Sequence, residues 1–182
     1  LVCKTGMDIA IVSDVPVGSG LSSSAALECS TALAAADVKG ASFRQMAMYP
    51  VIVEATMRAE NDVVGASTGG LDQRTSLYGK KNQALEIDFL YDEFRYVPCN
   101  FEEHGLALLV ADTNAPHKLI DGQYGSRRGL IDGVTEVLRK KDGTYRDFTV
   151  EQVLEMLGKA PECSDYDVYL RRVRHIISET RR

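Results

Sequence analysis

The run Val15-Pro-Val-Gly-Ser-Gly-Leu-Ser-Ser-Ser-Ala-Ala-Leu-Glu28 constrains this chain more than any other segment. An apolar stretch at 9–12 precedes it, and an Ala-rich helical pattern running to about residue 36 follows. The order is therefore a strand, a glycine-cornered loop and the N-terminus of a helix. Such a terminus presents unpaired backbone N–H groups and roughly half a positive charge, which suits phosphate. Gly18 and Gly20 give the backbone freedom to turn and to approach a ligand closely. Ser22, Ser23 and Ser24 supply hydroxyls that can cap the helix, contact phosphate oxygens or reach a metal ion. One cap would suffice for an ordinary helix start, and three consecutive serines after two glycines exceed it.

The run is neither of the two common phosphate loops. A Walker loop ends in Gly-Lys-Ser/Thr, and residues 5–38 contain no lysine. Gly18-Ser-Gly20-Leu-Ser-Ser23 lacks the third glycine of a dinucleotide fingerprint. The run instead resembles the phosphate-binding motif of the GHMP kinase superfamily, and Leu-Ser-Ser-Ser-Ala-Ala-Leu-Glu is closest to the galactokinase family. That resemblance implies ATP phosphates held by Gly18, Ser19, Gly20, Leu21, Ser22, Ser23 and Ser24.

Composition narrows the alternatives. With 182 residues, 45% of them apolar, the chain can bury a substantial core as one domain or one domain and part of another. The net charge of −5 (21 basic against 26 acidic residues) disfavours nucleic acid and acidic membrane surfaces. A bound polyanion must be held by local geometry, which suits a nucleotide with Mg²⁺. Cys3, Cys29, Cys99 and Cys163 show no metal-binding spacing and read as free thiols of a cytoplasmic protein. No apolar stretch is long enough to span a bilayer. His117 has no second histidine near it and reads as a loop residue.

The pattern along the chain is α+β. Strands are expected at 7–12, 84–89, 95–99 and 106–111, and helices at 22–37, 42–61, 71–78, 119–140, 149–157 and 166–182. Ser42 is expected to cap the second helix and Pro50 to kink or split it. Residues 64–70 read as a loop.

Glu60 and Asp72 bracket that loop, twelve residues apart. Paired carboxylates beside a phosphate loop can hold Mg²⁺ or accept a proton from an attacking hydroxyl. On spacing alone, Glu60 could equally be a solvated helix end and Asp72 an N-cap. Ala59-Glu60, then Gly65 and Thr68-Gly-Gly-Leu-Asp72-Gln73, resemble the galactokinase segment in which Ala-Glu precedes Gly-x-x-Asp-Gln. The resemblance implies that Asp72 is the base toward the sugar C1 hydroxyl and that Glu60 ligates Mg²⁺. It puts the metal-holding serine at Ser24, with Ser23 as the other candidate, and sets Gly69 against the sugar. Leu71 stands where many members carry Met.

A third segment, Asp121-Gly-Gln-Tyr124-Gly-Ser-Arg127-Arg128, resembles the family's Tyr-x-x-Arg-Arg, whose Tyr hydrogen-bonds the sugar. Read without the family, Tyr124 is a half-buried helix residue and the arginines a solvated face. The basic helix at 171–182 reads as a surface or docking face.

These matches run in order along nearly the whole chain, but galactokinases are roughly twice as long. The family's opening Arg and Gly-Glu-His-x-Asp run and its late glycine-rich motif have no counterpart here. The resemblance thus implies a central fragment with a ribosomal protein S5 domain 2-like fold in its first part. Residues 1–100 would complete the N-terminal, ATP-binding lobe, and 101–182 would begin a mostly helical C-terminal lobe. The implied reaction is ATP-dependent phosphorylation of galactose to galactose 1-phosphate, with ATP and Mg²⁺ as cofactors and the isolated segment inactive. Two alternatives share the scaffold: a non-catalytic sugar and ATP sensor, and a kinase for N-acetylgalactosamine or arabinose.

Overall fold

The computed structural model describes residues 6–40, 46–111 and 123–181, and of residues 123–128 the backbone alone. The chain divides into two compact units, Leu1–Ile120 and Asp121–Arg182.

In the first unit, helix α1 (Ser23–Val38) follows the glycine-cornered loop directly. Its inner face carries Ala25, Cys29, Ala32 and Ala36, spaced four, three and four residues apart. That spacing keeps them on one side, and their small side chains let neighbouring helices approach closely. A short 3₁₀ turn (Met46–Met48) leads into α2 (Tyr49–Arg58). Pro50 lies in the first turn of α2, where its missing N–H has no intrahelical partner to lose. It therefore begins the helix instead of kinking it. The continuation Ala59–Val64 widens to π geometry, a feature often found at functional sites, and ends at Gly65 with φ +79°. Helix α3 (Leu71–Tyr78) comes next, as expected.

Strands β1 (Gln83–Asp88) and β2 (Glu93–Pro98) form an antiparallel hairpin, with Leu85 opposite Tyr96 and Ile87 opposite Phe94. The hairpin packs on α3 through aromatic rings: Tyr78 and Phe94 are 4.6 Å apart, and Phe94 and Tyr96 are 5.7 Å apart edge-on. The Tyr96 hydroxyl donates to the Tyr78 carbonyl at 2.8 Å. Cys29, Ile52, Val53, Leu77 and Tyr78 form the buried core that unites α1, α2 and α3. Fully burying one aliphatic side chain of this kind contributes about 1.5–3 kcal/mol.

Two expected strands do not form. Residues 7–12 and 106–111 belong to no hydrogen-bonded ladder, and the only sheet among the described residues is the two-stranded hairpin. A strand requires a paired neighbour to satisfy its backbone groups, and neither segment has one among the described residues. Their apolar side chains stand in solvent, Val12 at 97% and Leu109 at 88% exposure. β-branched and apolar composition alone does not make a strand.

The second unit contains α4 (Gln123–Arg139), α5 (Val150–Met156) and α6 (Tyr166–Arg181). Val134, Leu138, Val153, Leu154, Val173 and Ile177 close its core at helical spacing. Thr149 caps α5 in a reciprocal capping box with Gln152, which the sequence shows as Thr-x-x-Gln. Helix α4 was expected from 119, and residues 119–122 lie outside the described set, as do Cys3, Ser42 and His117. Among the described residues no helix is long and apolar enough to cross a membrane.

Candidate functional site

The phosphate-loop residues have the backbone that their sequence implies. Gly18 and Gly20 adopt φ +74° and +78°. A Cβ at either would meet nothing within 4 Å, so conformation and not crowding by protein calls for glycine there. The Ser19 hydroxyl donates to the Pro16 carbonyl at 2.9 Å and tightens the turn. Leu21 is exposed, and Ser22, Ser23 and Ser24 are half-buried.

Ser22 is the N-cap of α1, but its side chain makes no capping bond. It sits in the left-handed region, at φ +57° and ψ +41°. A non-glycine residue is strained there by about 1–2 kcal/mol. The first intrahelical bond runs from the Ala26 N–H to the Ser22 carbonyl at 3.1 Å. The backbone donors before it are left without a side-chain cap, the arrangement that favours an anion at a helix start.

The two carboxylates prove to be quite different residues. Glu60 is 3% exposed and is not a solvated helix end. It continues the inner stripe of α2, four residues after Thr56 and eight after Ile52, where side chains face the core. Asp72 is half-buried and lies in the first turn of α3, two residues after the N-cap Gly70, so it is not a cap. Its carboxylate sits at the helix end that favours negative charge. The loop joining them is shaped by Asn61, whose Oδ1 accepts from the Thr68 N–H at 2.9 Å and whose Nδ2 donates to the Met57 carbonyl at 2.8 Å. Gly70 has φ +81°, and a Cβ there would collide with Met57 Sδ. Gly69 is exposed beside it.

Glu60 and Asp72 share no hydrogen bond. The residue that joins the elements is Gln73, which is fully buried at 0% exposure. Its Nε2 donates to Glu60 Oε2 at 2.7 Å. Glu28, from α1, lies near both residues. Burial and the nearby Glu60 charge raise the Glu28 carboxyl to about 7, and hydrogen bonding from Gln73 pulls it partly back. Glu28 Oε2 and Gln73 Oε1 are both buried without a hydrogen-bond partner. Each such orphan costs about 1–3 kcal/mol. The Cys29 thiol donates weakly to the Gln73 carbonyl at 3.8 Å and completes the junction of α1 with α3.

Sequence reasoning singled out neither Gln73 nor Glu28. The signal was present: Gln73 lies four residues before buried Leu77, a polar side chain on the inner stripe of a short helix. Glu28 is the one acidic residue of α1 before Asp37.

The fit of this group to Mg²⁺ can be tested on charge. Among the described residues, no cluster of three or more His, Cys, Asp or Glu side chains can hold a metal. Mg²⁺ bound with a nucleotide needs only one or two protein oxygens, because water and phosphate supply the rest. Glu60 is a buried acid whose one hydrogen-bond partner among the described residues is a neutral amide. A buried charge without a counter-charge is costly, so a hard cation fits here.

A cavity of about 590 Å³ lies elsewhere in this unit, among Val53, Met57, Arg74, Ile87 and Phe94 of α2, α3 and the hairpin. None of the residues 18–24, Glu60, Gly69 or Asp72 lines it. A phosphate site built from backbone N–H groups is shallow and need not coincide with the deepest hollow. Tyr124 belongs to α4 in the second unit, and its side chain lies outside the described residues.

The GHMP kinases N terminal domain matches residues 1–80. A galactokinase of Actinobacillus pleuropneumoniae serotype 5b (strain L20) is 37% identical over 179 residues, covering 98% of this chain and 44% of that protein. A galactokinase of Thermotoga neapolitana is 35% identical over 174 residues, covering 96% and 45% respectively. One of Thermosipho africanus (strain TCF52B) is 32% identical over the same length. The chain thus spans less than half the length of these curated relatives. No solved structure matches it. Over nearly the whole of its own length the chain is thus similar to a part of these galactokinases, and residues 1–80 match the GHMP kinases N terminal domain.

Proposed function

We propose that this chain is the phosphate- and metal-holding part of a galactokinase, acting in the transfer of the ATP γ-phosphoryl group to the C1 hydroxyl of galactose. One observation carries the reading. A buried acid, Glu60, has no counter-charge hydrogen-bonded to it among the described residues, and it precedes the loop that leads into Asp72. The uncapped, glycine-cornered start of α1 lies in the same unit.

In this reading the backbone of Gly18, Ser19, Gly20, Leu21, Ser22, Ser23 and Ser24 holds the ATP phosphates. Glu60 and the Ser24 hydroxyl hold Mg²⁺. A cation held there would supply charge neutralisation to the ATP phosphates. Asp72 orients the C1 hydroxyl and accepts its proton, while Gly69 lies against the sugar ring. Alignment and electrostatic stabilisation then supply most of the rate. On the resemblance alone, Tyr124 is proposed to hydrogen-bond the sugar. The S5 domain 2-like architecture and the division into lobes at 1–100 and 101–182 belong to the same proposal, as does cytoplasmic location.

ADP production by the full-length gene product, measured across hexoses and pentoses, tests this. Turnover highest with galactose supports the proposal. Turnover confined to N-acetylgalactosamine or arabinose reassigns the substrate. Sugar- and ATP-dependent capture of a protein partner without ADP production replaces the kinase with a sensor.

A further inference from the structure

We propose that Gln73 is a positioning residue, whose side-chain amide, bonded to Glu60 Oε2, fixes the direction of the Glu60 carboxylate. Asp72, next to it in the chain, is the residue to which the resemblance assigns the chemistry, and nothing in the comparisons assigns a role to Gln73 or Glu28. The inference rests on the reading of Glu60 as a metal-holding residue and deepens it.

Three observations carry it. Gln73 is fully buried on α3, and its Nε2 donates to Glu60 Oε2 at 2.7 Å across thirteen residues of sequence. The Glu28 carboxyl of α1 lies near enough for the same amide to lower its proton affinity. Its own Oε1 has no partner. An apolar side chain of similar volume would fill this place without leaving a buried acceptor unsatisfied, so packing alone does not account for an amide here.

Charge also fixes which way the amide points. Turned over, Gln73 would set Oε1 against the Glu60 carboxylate oxygen, so its NH₂ group must face that oxygen. One Glu60 oxygen is thereby occupied by a neutral donor. The carboxylate cannot rotate freely, and its other oxygen keeps one direction in which to meet a cation. Partners of this kind typically change metal affinity by about 10–100-fold when removed.

The test uses the full-length gene product with Mn²⁺ as the probe metal and ADP as the nucleotide, read by electron paramagnetic resonance. Gln73→Met keeps the volume and removes the amide. It is expected to weaken nucleotide-dependent Mn²⁺ binding by about 10–100-fold, with the KM for sugar unchanged. Glu60→Gln is expected to remove that binding. Mn²⁺ affinity retained in Gln73→Met and lost in Glu60→Gln overturns the positioning role and leaves Glu60 as ligand. Affinity retained in Glu60→Gln overturns the ligand reading itself, and the proposal with it.

A second measurement needs no variant. With ¹⁵N-glutamine labelling of the wild-type protein, the Gln73 side-chain amide signal is expected to exchange slowly with solvent. It is also expected to shift when Mg²⁺ and ADP are added together. A rapidly exchanging or unmoved signal overturns the proposal, even if Gln73→Met fails to fold.

Discussion

Gln73 and Glu60, thirteen residues apart in sequence, meet through a 2.7 Å hydrogen bond from a fully buried amide to a buried carboxylate. That bond ties the start of α3 to the turn after α2. It makes the loop between them, with Gly69 and Gly70 at its end, a closed structure with the two acids at its ends.

Asp72→Asn in the full-length gene product is expected to lower the phosphorylation rate by about 10²–10⁴-fold, the range associated with loss of a positioned base. Nucleotide affinity should stay near that of the wild type, because Asp72 lies outside the phosphate loop. Steady-state turnover and equilibrium ADP binding, measured side by side, check this. Turnover near the wild-type rate removes the assigned role.

Glu28 makes stability depend on pH. Its carboxyl is raised from 4.5 to about 7 in the folded protein. Between those values the folded state keeps a proton that the unfolded state has lost. The associated stabilisation is therefore full below 4.5 and is lost as pH rises through about 7. Glu28→Gln cannot titrate, so its urea midpoint should change less between about pH 5 and about pH 8 than the wild type's. Measurements with a chelator present keep metal binding out of the comparison. An equal pH dependence in both proteins contradicts the expectation.

Gly70→Ala should destabilise the protein by about 1–3 kcal/mol, through a left-handed backbone and overpacking against Met57. Gly20→Ala provides the contrast. It shares the positive φ but has open space around the added Cβ, so its effect comes from conformation alone. Urea unfolding of the two variants separates the contributions, and equal losses would show that the Met57 collision relaxes freely.

Cys29 should resist thiol reagents in the native state. It is 3% exposed, and burial raises its thiol to about 11; hydrogen bonding with Thr56 opposes this, and the Glu28 and Glu60 charges add to it. The partly exposed Cys99 and Cys163 should label first. Timed alkylation with peptide mapping reads the order. Early labelling of Cys29 would mean that the junction of α1 and α3 opens readily.

The helices α1, α3, α5 and α6 were legible in the sequence to within one or two residues at each end. Each has a local cause: an inner stripe at helical spacing, a glycine at a boundary, or the Thr149–Gln152 cap. The two strands of the hairpin were legible as runs at 84–89 and 95–99, but their pairing with each other was not. The segments 7–12 and 106–111 were not legible. Their composition matches that of strands, but pairing is a relation between distant residues that composition does not encode.

The candidate site divides along the same line. The glycines and serines at 18–24 declare a phosphate-binding backbone by themselves, because φ > 0 and a bare helix start are properties of short segments. Glu60 and Asp72 were visible as acids around a loop, but their spacing left open whether each was solvated, capping or buried. Only tertiary structure decided that Glu60 is buried and that the Gln73 amide bonds to it. Burial and hydrogen bonding at that point depend on three helices brought together by their apolar and small-residue stripes. The sequence alone therefore determined which chemistry was available, and packing decided which carboxylate lost its water and which side chain holds it in place.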